Sequence, residues 1–233
     1  MGFQCRRFYL KDDQCAMKVS TDSLLFGAWV SMGGAERLLD LGTGCGILAL
    51  MLAQRSAAKV QIDAVELDTA AAQQAVENVL ASPWPDKVQV HLGPVETIEL
   101  PVACYDLIVM NPPYFAGHLV SASAPRQLAR QGTGDVWQTW LARANEWLCA
   151  NGRIALVAPI SAELQILSQL EILQLHLKRR CNVRSTPQKP AYLMLLELQT
   201  EPVEAVMEEL VIRDLQGIYT PAFKSLTQDF YLS

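Results

Sequence analysis

The chain has 233 residues, of which 51% are hydrophobic and 18% charged, with a formal net charge of −5. This composition excludes a disordered or fibrous protein and predicts a globular one. Apolar runs stay below the roughly 18 residues that a membrane helix needs, and the first residues lack the apolar segment of a signal peptide. We therefore expect a cytoplasmic protein.

Short apolar runs alternate with helical patterns along the chain. The predicted strands are residues 37–41, 60–66, 88–92, 106–110, 153–158 and 191–198, and the predicted helices are 48–55, 69–81, 136–149 and 162–170. This alternation is typical of a parallel sheet with helices on both faces. We interpret residues 1–233 as one α/β domain, with extensions at 1–36 and 203–233.

Capping residues refine several of these boundaries. Thr69 and Asp135 are expected to cap their helices, and Gly152 to end the helix before it. The pattern of residues 16–29 predicts a capped amphipathic helix. A second helix is predicted to begin at Thr220–Pro221, with an N-cap and a proline at N1. The last helix places three apolar side chains on one face, which favours core packing. They are Phe223, Leu226 and Phe230.

The six cysteines and three histidines show no metal-ligand or CxxC spacing. We interpret the cysteines as reduced and mostly buried, and we predict no metal site.

A glycine-rich loop follows the first of the predicted strands. Its sequence is Asp40-Leu41-Gly42-Thr43-Gly44-Cys45-Gly46, directly before a predicted helix. Alternate glycines permit a tight turn and let a ligand contact the backbone. The spacing differs from the dinucleotide fingerprint, and an acidic residue before the first glycine suits a ligand with a positive end. A structural turn without a ligand is the alternative.

Glu66 ends the second predicted strand, where a carboxylate can accept hydrogen bonds from both hydroxyls of a ribose. A nucleoside pocket with room for a cationic amino-acid tail predicts S-adenosylmethionine as the ligand.

The strand, acidic glycine loop, helix, strand and terminal acid resemble the class I methyltransferases over at least residues 37–158. This resemblance implies a Rossmann-like, seven-stranded and mostly parallel sheet, with the last strand at 191–198 antiparallel. The cofactor-binding residues are then predicted to be Asp40, Gly42, Thr43, Gly44, Gly46, Glu66, Leu67 and Val95, with Asn111. Pro94 stands where the family usually has an acid near adenine, which leaves that contact to the backbone near Val95 or to Glu96.

Asn111-Pro112-Pro113-Tyr114 follows the fourth predicted strand, at the sheet edge where ligands bind. A planar amine becomes nucleophilic when hydrogen-bond acceptors hold its two N–H groups. The Asn111 side-chain oxygen and the Pro112 carbonyl can be those acceptors, and Tyr114 can stack on a flat substrate. The motif resembles that of amino-methyltransferases acting on adenine N6, guanine N2 or glutamine N5.

Three functions remain open: a nucleobase methyltransferase, a protein glutamine methyltransferase, and a binding protein that has lost activity. Residues 115–190 carry nine basic and four acidic side chains, which favours a nucleic-acid partner. The candidate phosphate contacts are Arg126, Arg130, Lys178, Arg179, Arg180, Arg184 and Lys189. The alternative is a solvated face with salt bridges to Glu163 and Glu171.

Residues 16–29, Leu128-Ala129-Arg130 and the terminal Asp229-Phe230-Tyr231-Leu232 extend the resemblance to nearly the whole chain. They resemble the bacterial tRNA1(Val) adenine-37 N6-methyltransferase family. That family implies a tRNA anticodon loop as partner, and it places Lys18, Thr21 and Asp22 near the methionine end of the cofactor. We expect a monomer or a weak homo-oligomer.

Overall fold

The computed structural model describes residues 2–112 and 133–231. The strands are β1 (Gly2–Gln4), β2 (Tyr9–Lys11), β3 (Arg37–Leu41), β4 (Gln61–Glu66), β5 (Val88–Leu92), β6 (Tyr105–Met110), β7 (Leu148–Pro159), β8 (His176–Arg184), β9 (Leu193–Gln199) and β10 (Val206–Val211). The helices are α1 (Thr21–Trp29), α2 (Ile47–Arg55), α3 (Thr69–Ala81), α4 (Thr133–Trp147), α5 (Glu163–Leu173) and α6 (Pro221–Thr227).

Eight of the described strands form the central sheet, in the order β10-β8-β9-β7-β6-β3-β4-β5. The run from β7 to β5 is parallel, and β9 lies antiparallel between β7 and β8. Chain order reverses between β3 and β6, since β4 and β5 extend one way and β7 the other. Ligands of open α/β sheets bind at the carboxyl ends of the strands at such a reversal.

The predicted antiparallel strand is confirmed as β9, but it is not the last strand. β10 adds to the sheet parallel to β8, which raises the count from the predicted seven to eight. β8 and the antiparallel β1–β2 pair are also absent from the predicted strands.

The apolar core lies in two layers, one on each face of the sheet. Leu38 packs with α1, α2 and α6, whereas its neighbour Leu39 packs with α4 and α5. This alternation follows from the two-residue period of a strand. Phe223 and Phe230 are buried in the first layer with Leu226 packed against it, which confirms the predicted core packing. The predicted helical stripe is wrong for Phe230, because α6 ends at Thr227.

Three of the predicted capping positions are wrong. Asp68, not Thr69, caps α3, because its Oδ1 accepts a 2.9 Å hydrogen bond from the Ala71 N–H. α4 begins at Thr133, before the predicted cap Asp135. Gly152 lies inside β7, where a Cβ would approach the Tyr105 carbonyl oxygen to 2.8 Å, so it permits a close strand approach rather than ending a helix.

The first helix is shorter than predicted, because α1 begins at Thr21 after the Ser20 cap. None of the helices in the described parts of the chain combines the length and the apolar character that crossing a bilayer requires.

Candidate active site

The glycine loop leaves β3 and enters α2 through three glycines with positive φ. Gly42, Gly44 and Gly46 have φ values of +70°, +56° and +87°, a region that favours glycine. A Cβ on Gly42 would lie 2.7 Å from Cη2 of Trp140, whereas one on Gly44 would meet no described atom within 4 Å. The loop is therefore closed by the Trp140 ring at one end and open at Gly44.

Asp40 supports this loop from inside the protein. It is fully buried, and its Oδ2 accepts hydrogen bonds from the Thr43 hydroxyl at 2.6 Å and the Ala49 N–H at 3.0 Å. Burial raises the pKa of Asp40 to about 7, although both hydrogen bonds act to lower it. Asp40 and Thr43 thus join the end of β3 to the loop and to α2.

Glu66 lies beside the loop, as its predicted role requires. Its Oε2 accepts a 2.8 Å hydrogen bond from the Gly44 N–H, and its Oε1 accepts one of 2.9 Å from the Asp68 N–H. The next residue, Leu67, is 50% exposed. The structure therefore brings together the open glycine and the carboxylate predicted to hold a ribose.

The segment after β5 lies against the end of β4 that carries Glu66. The Gly93 N–H donates to the Glu66 carbonyl at 2.9 Å, and the Val95 side chain is buried. Arg143 of α4, which is not among the predicted site residues, donates to the carbonyls of Val95 at 3.3 Å and Ile98 at 2.7 Å. Two groups were predicted to contact adenine. Of these, Glu96 is exposed, and the Val95 carbonyl accepts a hydrogen bond from Arg143.

Asn111 leaves β6 immediately beside the glycine loop, because Leu41 pairs with Met110 across the parallel β3 and β6. Asn111 is half-buried and Pro112 is buried. The Asn111 Nδ2 donates a 3.2 Å hydrogen bond to the Ser23 Oγ of α1. Tyr114 lies outside the described residues.

The three predicted residues at the amino end have contacts within the protein. The Lys18 Nζ donates to the Asp12 carbonyl at 2.6 Å, and the Asp22 Oδ1 accepts a 2.7 Å hydrogen bond from the Tyr192 hydroxyl. The Thr21 hydroxyl is a hydrogen-bond partner of Tyr231. These contacts fix the start of α1, whose Ser23 contacts Asn111.

Most of the predicted phosphate contacts between residues 178 and 189 lie on strand β8. Arg179, Arg180 and Arg184 belong to β8. Arg179 pairs with Glu208 at 3.0 Å, Arg184 with Glu209 at 3.0 Å, and Arg180 with Glu163. The salt bridge to Glu163 matches the structural alternative, and it lowers the pKa of that carboxyl group.

The remaining basic residues have different positions. Lys178 is a half-buried residue of β8, and Lys189 is exposed on the turn that follows it. Arg126 and Arg130 lie outside the described residues. Within residues 2–112 and 133–231, no three His, Cys, Asp or Glu side chains are grouped to hold a metal ion.

Comparison with known proteins defines the class. Residues 15–177 match the family model "Methyltransferase small domain". A predicted O-methyltransferase of Agrobacterium tumefaciens is similar with a TM-score of 0.71 and 18% identity, over 90% of this chain and 96% of that one. A TehB-like SAM-dependent methyltransferase of Corynebacterium glutamicum has a TM-score of 0.53 and 16% identity, over 80% of this chain and 90% of that one. The chain has the Rossmann-like fold of the class I methyltransferases, as predicted.

Curated relatives then define the family. The tRNA1(Val) (adenine(37)-N6)-methyltransferase of Tolumonas auensis is 45% identical, over 99% of this chain and 97% of that protein. The protein of the same name from Pectobacterium carotovorum is 41% identical, over 99% and 94%. The chain belongs to the tRNA1(Val) (adenine(37)-N6)-methyltransferase family, which confirms the resemblance found in the sequence.

Proposed function

We propose that this protein transfers a methyl group from S-adenosylmethionine to N6 of adenine 37 in the anticodon loop of a valine tRNA. The observation that carries the proposal is the register of β3 and β6, where Leu41 pairs with Met110. Neighbouring strands lie about 4.8 Å apart, so the glycine loop and Asn111 begin side by side. A cofactor held by the loop and an amine held by Asn111 would meet at this edge.

The residues present fit the cofactor. The space beside Gly44 accommodates a ligand against the backbone, and Glu66 offers carboxylate oxygens to a ribose. Asp40 and Thr43 keep the loop in shape, with Gly42 and Gly46 supplying its turns. We assign the segment at Val95 and the exposed Leu67 to the border of the cofactor beside Glu66. When bound, S-adenosylmethionine supplies an electrophilic methyl group on a sulfonium.

The chemistry assigned to the chain itself is positioning. The Asn111 oxygen and the Pro112 carbonyl accept the two N–H hydrogens of the adenine amine, which localises the nitrogen lone pair and aligns it for in-line attack. Tyr114 stacks on the base, which contributes about 1–3 kcal/mol. The proton leaves after the amine has become cationic, so no general base of matched pKa is required.

Contacts with tRNA phosphates are assigned to Lys178, Lys189, Arg126 and Arg130. Arg179, Arg180 and Arg184 take a smaller share, because their guanidinium groups already pair with carboxylates. Lys18, Thr21 and Asp22 border the methionine end through the start of α1. With tRNA as the substrate, we assign the activity to the cytoplasm.

The test is incubation of the protein with methyl-labelled cofactor and separate pools of tRNA, ribosomal RNA, DNA and protein. The proposal predicts label in tRNA alone, recovered as N6-methyladenosine after digestion. A valine tRNA transcript with guanine at position 37 should accept no label. Label in protein as methylglutamine, or in RNA as N2-methylguanosine, would instead establish one of the two alternative acceptors.

A further inference from the structure

We infer that Ser23 is a positioning residue for methyl transfer, because it sets which end of the Asn111 amide faces the acceptor amine. This inference rests on the proposed function. The Asn111 Nδ2 donates a 3.2 Å hydrogen bond to the Ser23 Oγ, across 88 residues of sequence. The oxygen and nitrogen of an amide lie on opposite sides of its carbon, so this bond turns Oδ1 away from Ser23.

The direction of that hydrogen bond matters chemically. An amine that is to be methylated presents N–H donors, and only the oxygen of an asparagine amide can accept them. With the amide reversed, Nδ2 would face the amine and two donors would oppose each other. Ser23 therefore distinguishes an orientation that supports transfer from one that opposes it.

The contacts in the first turn of α1 allow the Ser23 hydroxyl to accept a hydrogen bond from Asn111. Ser20 caps the helix, since its Oγ accepts the Ser23 N–H at 3.3 Å. The Oγ atoms of Ser20 and Ser23 are also 3.2 Å apart, so the Ser23 hydroxyl has an acceptor for its own hydrogen. When Ser23 donates to Ser20, its lone pairs remain for the Asn111 Nδ2.

Ser23 is also held in place by its surroundings. Its side chain is buried, and α1 is fixed at both ends. At the start, the Tyr192 hydroxyl donates to Asp22 at 2.7 Å, and at the end the Trp29 Nε1 donates to Glu208 at 2.9 Å. A hydroxyl on a fixed helix orients its partner with little loss of precision.

Ser23→Ala removes the acceptor of the Asn111 Nδ2 and, with it, the contact that favours this orientation of the amide. We expect kcat for tRNA methylation to fall about 10-fold or more, as for other losses of a positioned hydrogen bond. The KM for tRNA and the calorimetric Kd for S-adenosylmethionine should stay within about twofold of wild type, because Ser23 is assigned no contact with either. Ser82→Ala is the control, since Ser82 is a buried serine that caps the far end of α3 through the Val79 carbonyl.

A double substitution tests whether Ser23 acts through Asn111. In single-turnover assays, Ser23→Ala should reduce the rate in the wild-type background but not in the Asn111→Ala background. The free energies of unfolding should be non-additive in the same pair, which is a readout independent of activity. Ser23→Cys, close in size but a weak acceptor, carries the same test should the alanine variant not fold.

The outcomes separate this inference from the proposed function. Wild-type kcat in a folded Ser23 variant, or equal rate losses in both backgrounds, would overturn the role of Ser23 while leaving tRNA methylation intact. If the wild-type protein fails to methylate tRNA, the proposed function itself is wrong.

Discussion

The main-chain N–H of Gly44 donates a 2.8 Å hydrogen bond to Oε2 of Glu66, although 22 residues separate the two in sequence. The bond joins the loop after β3 to the carboxyl end of β4. It brings the two residues predicted to hold a nucleoside to one place and supports their assignment to a single cofactor pocket.

Glu66→Gln should weaken binding of S-adenosylmethionine by about 10-fold, because hydrogen bonds from hydroxyls to a charged acceptor are stronger than those to a neutral amide. Isothermal titration calorimetry measures the effect. Glu77→Gln, on an exposed position of α3, should bind the cofactor like wild type. Equal affinities of the Glu66 variant and wild type would show that this carboxylate does not hold the ribose.

Gly42→Ala should destabilise the protein more than Gly217→Ala. Both glycines have positive φ, +70° and +80°, so both alanines bear a backbone cost of about 1–2 kcal/mol. Only the alanine at 42 would also collide with Trp140, whose Cη2 would be 2.7 Å from the new Cβ. Urea denaturation of the two variants gives the difference, and equal stability losses would contradict the close contact.

The buried carboxyl group of Asp40 predicts a pH dependence of stability. Its pKa rises from 3.8 to about 7 on folding, so between these values the folded protein binds more protons than the unfolded one. The free energy of unfolding therefore falls as pH rises through this range, by up to about 4 kcal/mol. Asp40→Asn should remove that part of the slope in denaturation curves at pH 5, 6, 7 and 8. An unchanged slope would mean that Asp40 titrates normally.

Charge reversal should have different effects at two of the predicted phosphate contacts, one on tRNA binding and the other on stability. Lys189→Glu should weaken tRNA binding and reduce the salt slope by about 1, with stability unchanged, because Lys189 is exposed. Arg179→Glu should instead lower stability, because Arg179 lies over the Trp29 ring at 4.1 Å and pairs with Glu208. Filter binding at several salt concentrations and thermal melts distinguish the two. Loss of stability in the Lys189 variant, or an unchanged salt slope, would contradict this assignment.

Candidate site residues could be placed from the sequence where they directly follow a recognisable strand. The apolar run of β3 continues directly into the glycines, and β6 continues directly into Asn111, so both loops could be placed at the carboxyl edge. Glu66 could be placed for the same reason, as the last residue of β4.

Features that depend on distant partners could not be predicted in this way. β8 is not predicted as a strand, because its basic side chains obscure the alternation of apolar and polar residues. The carboxylates that pair with these side chains come from α5 and β10, which are distant in sequence. Trp140 lies on the predicted helix 136–149, but nothing local showed that its ring faces Gly42. The contact of Ser23 with Asn111 spans 88 residues and leaves no local pattern.

Asn111→Ala, in a single-turnover assay with valine tRNA paired with calorimetry of the cofactor, tests whether Asn111 holds the acceptor amine. We expect a rate of methyl transfer at least about 100-fold below wild type, because a transition-state contact is lost, with the Kd for S-adenosylmethionine within about threefold of wild type. Transfer at the wild-type rate, or a loss that saturating cofactor restores, would contradict the assignment of Asn111 to the acceptor amine.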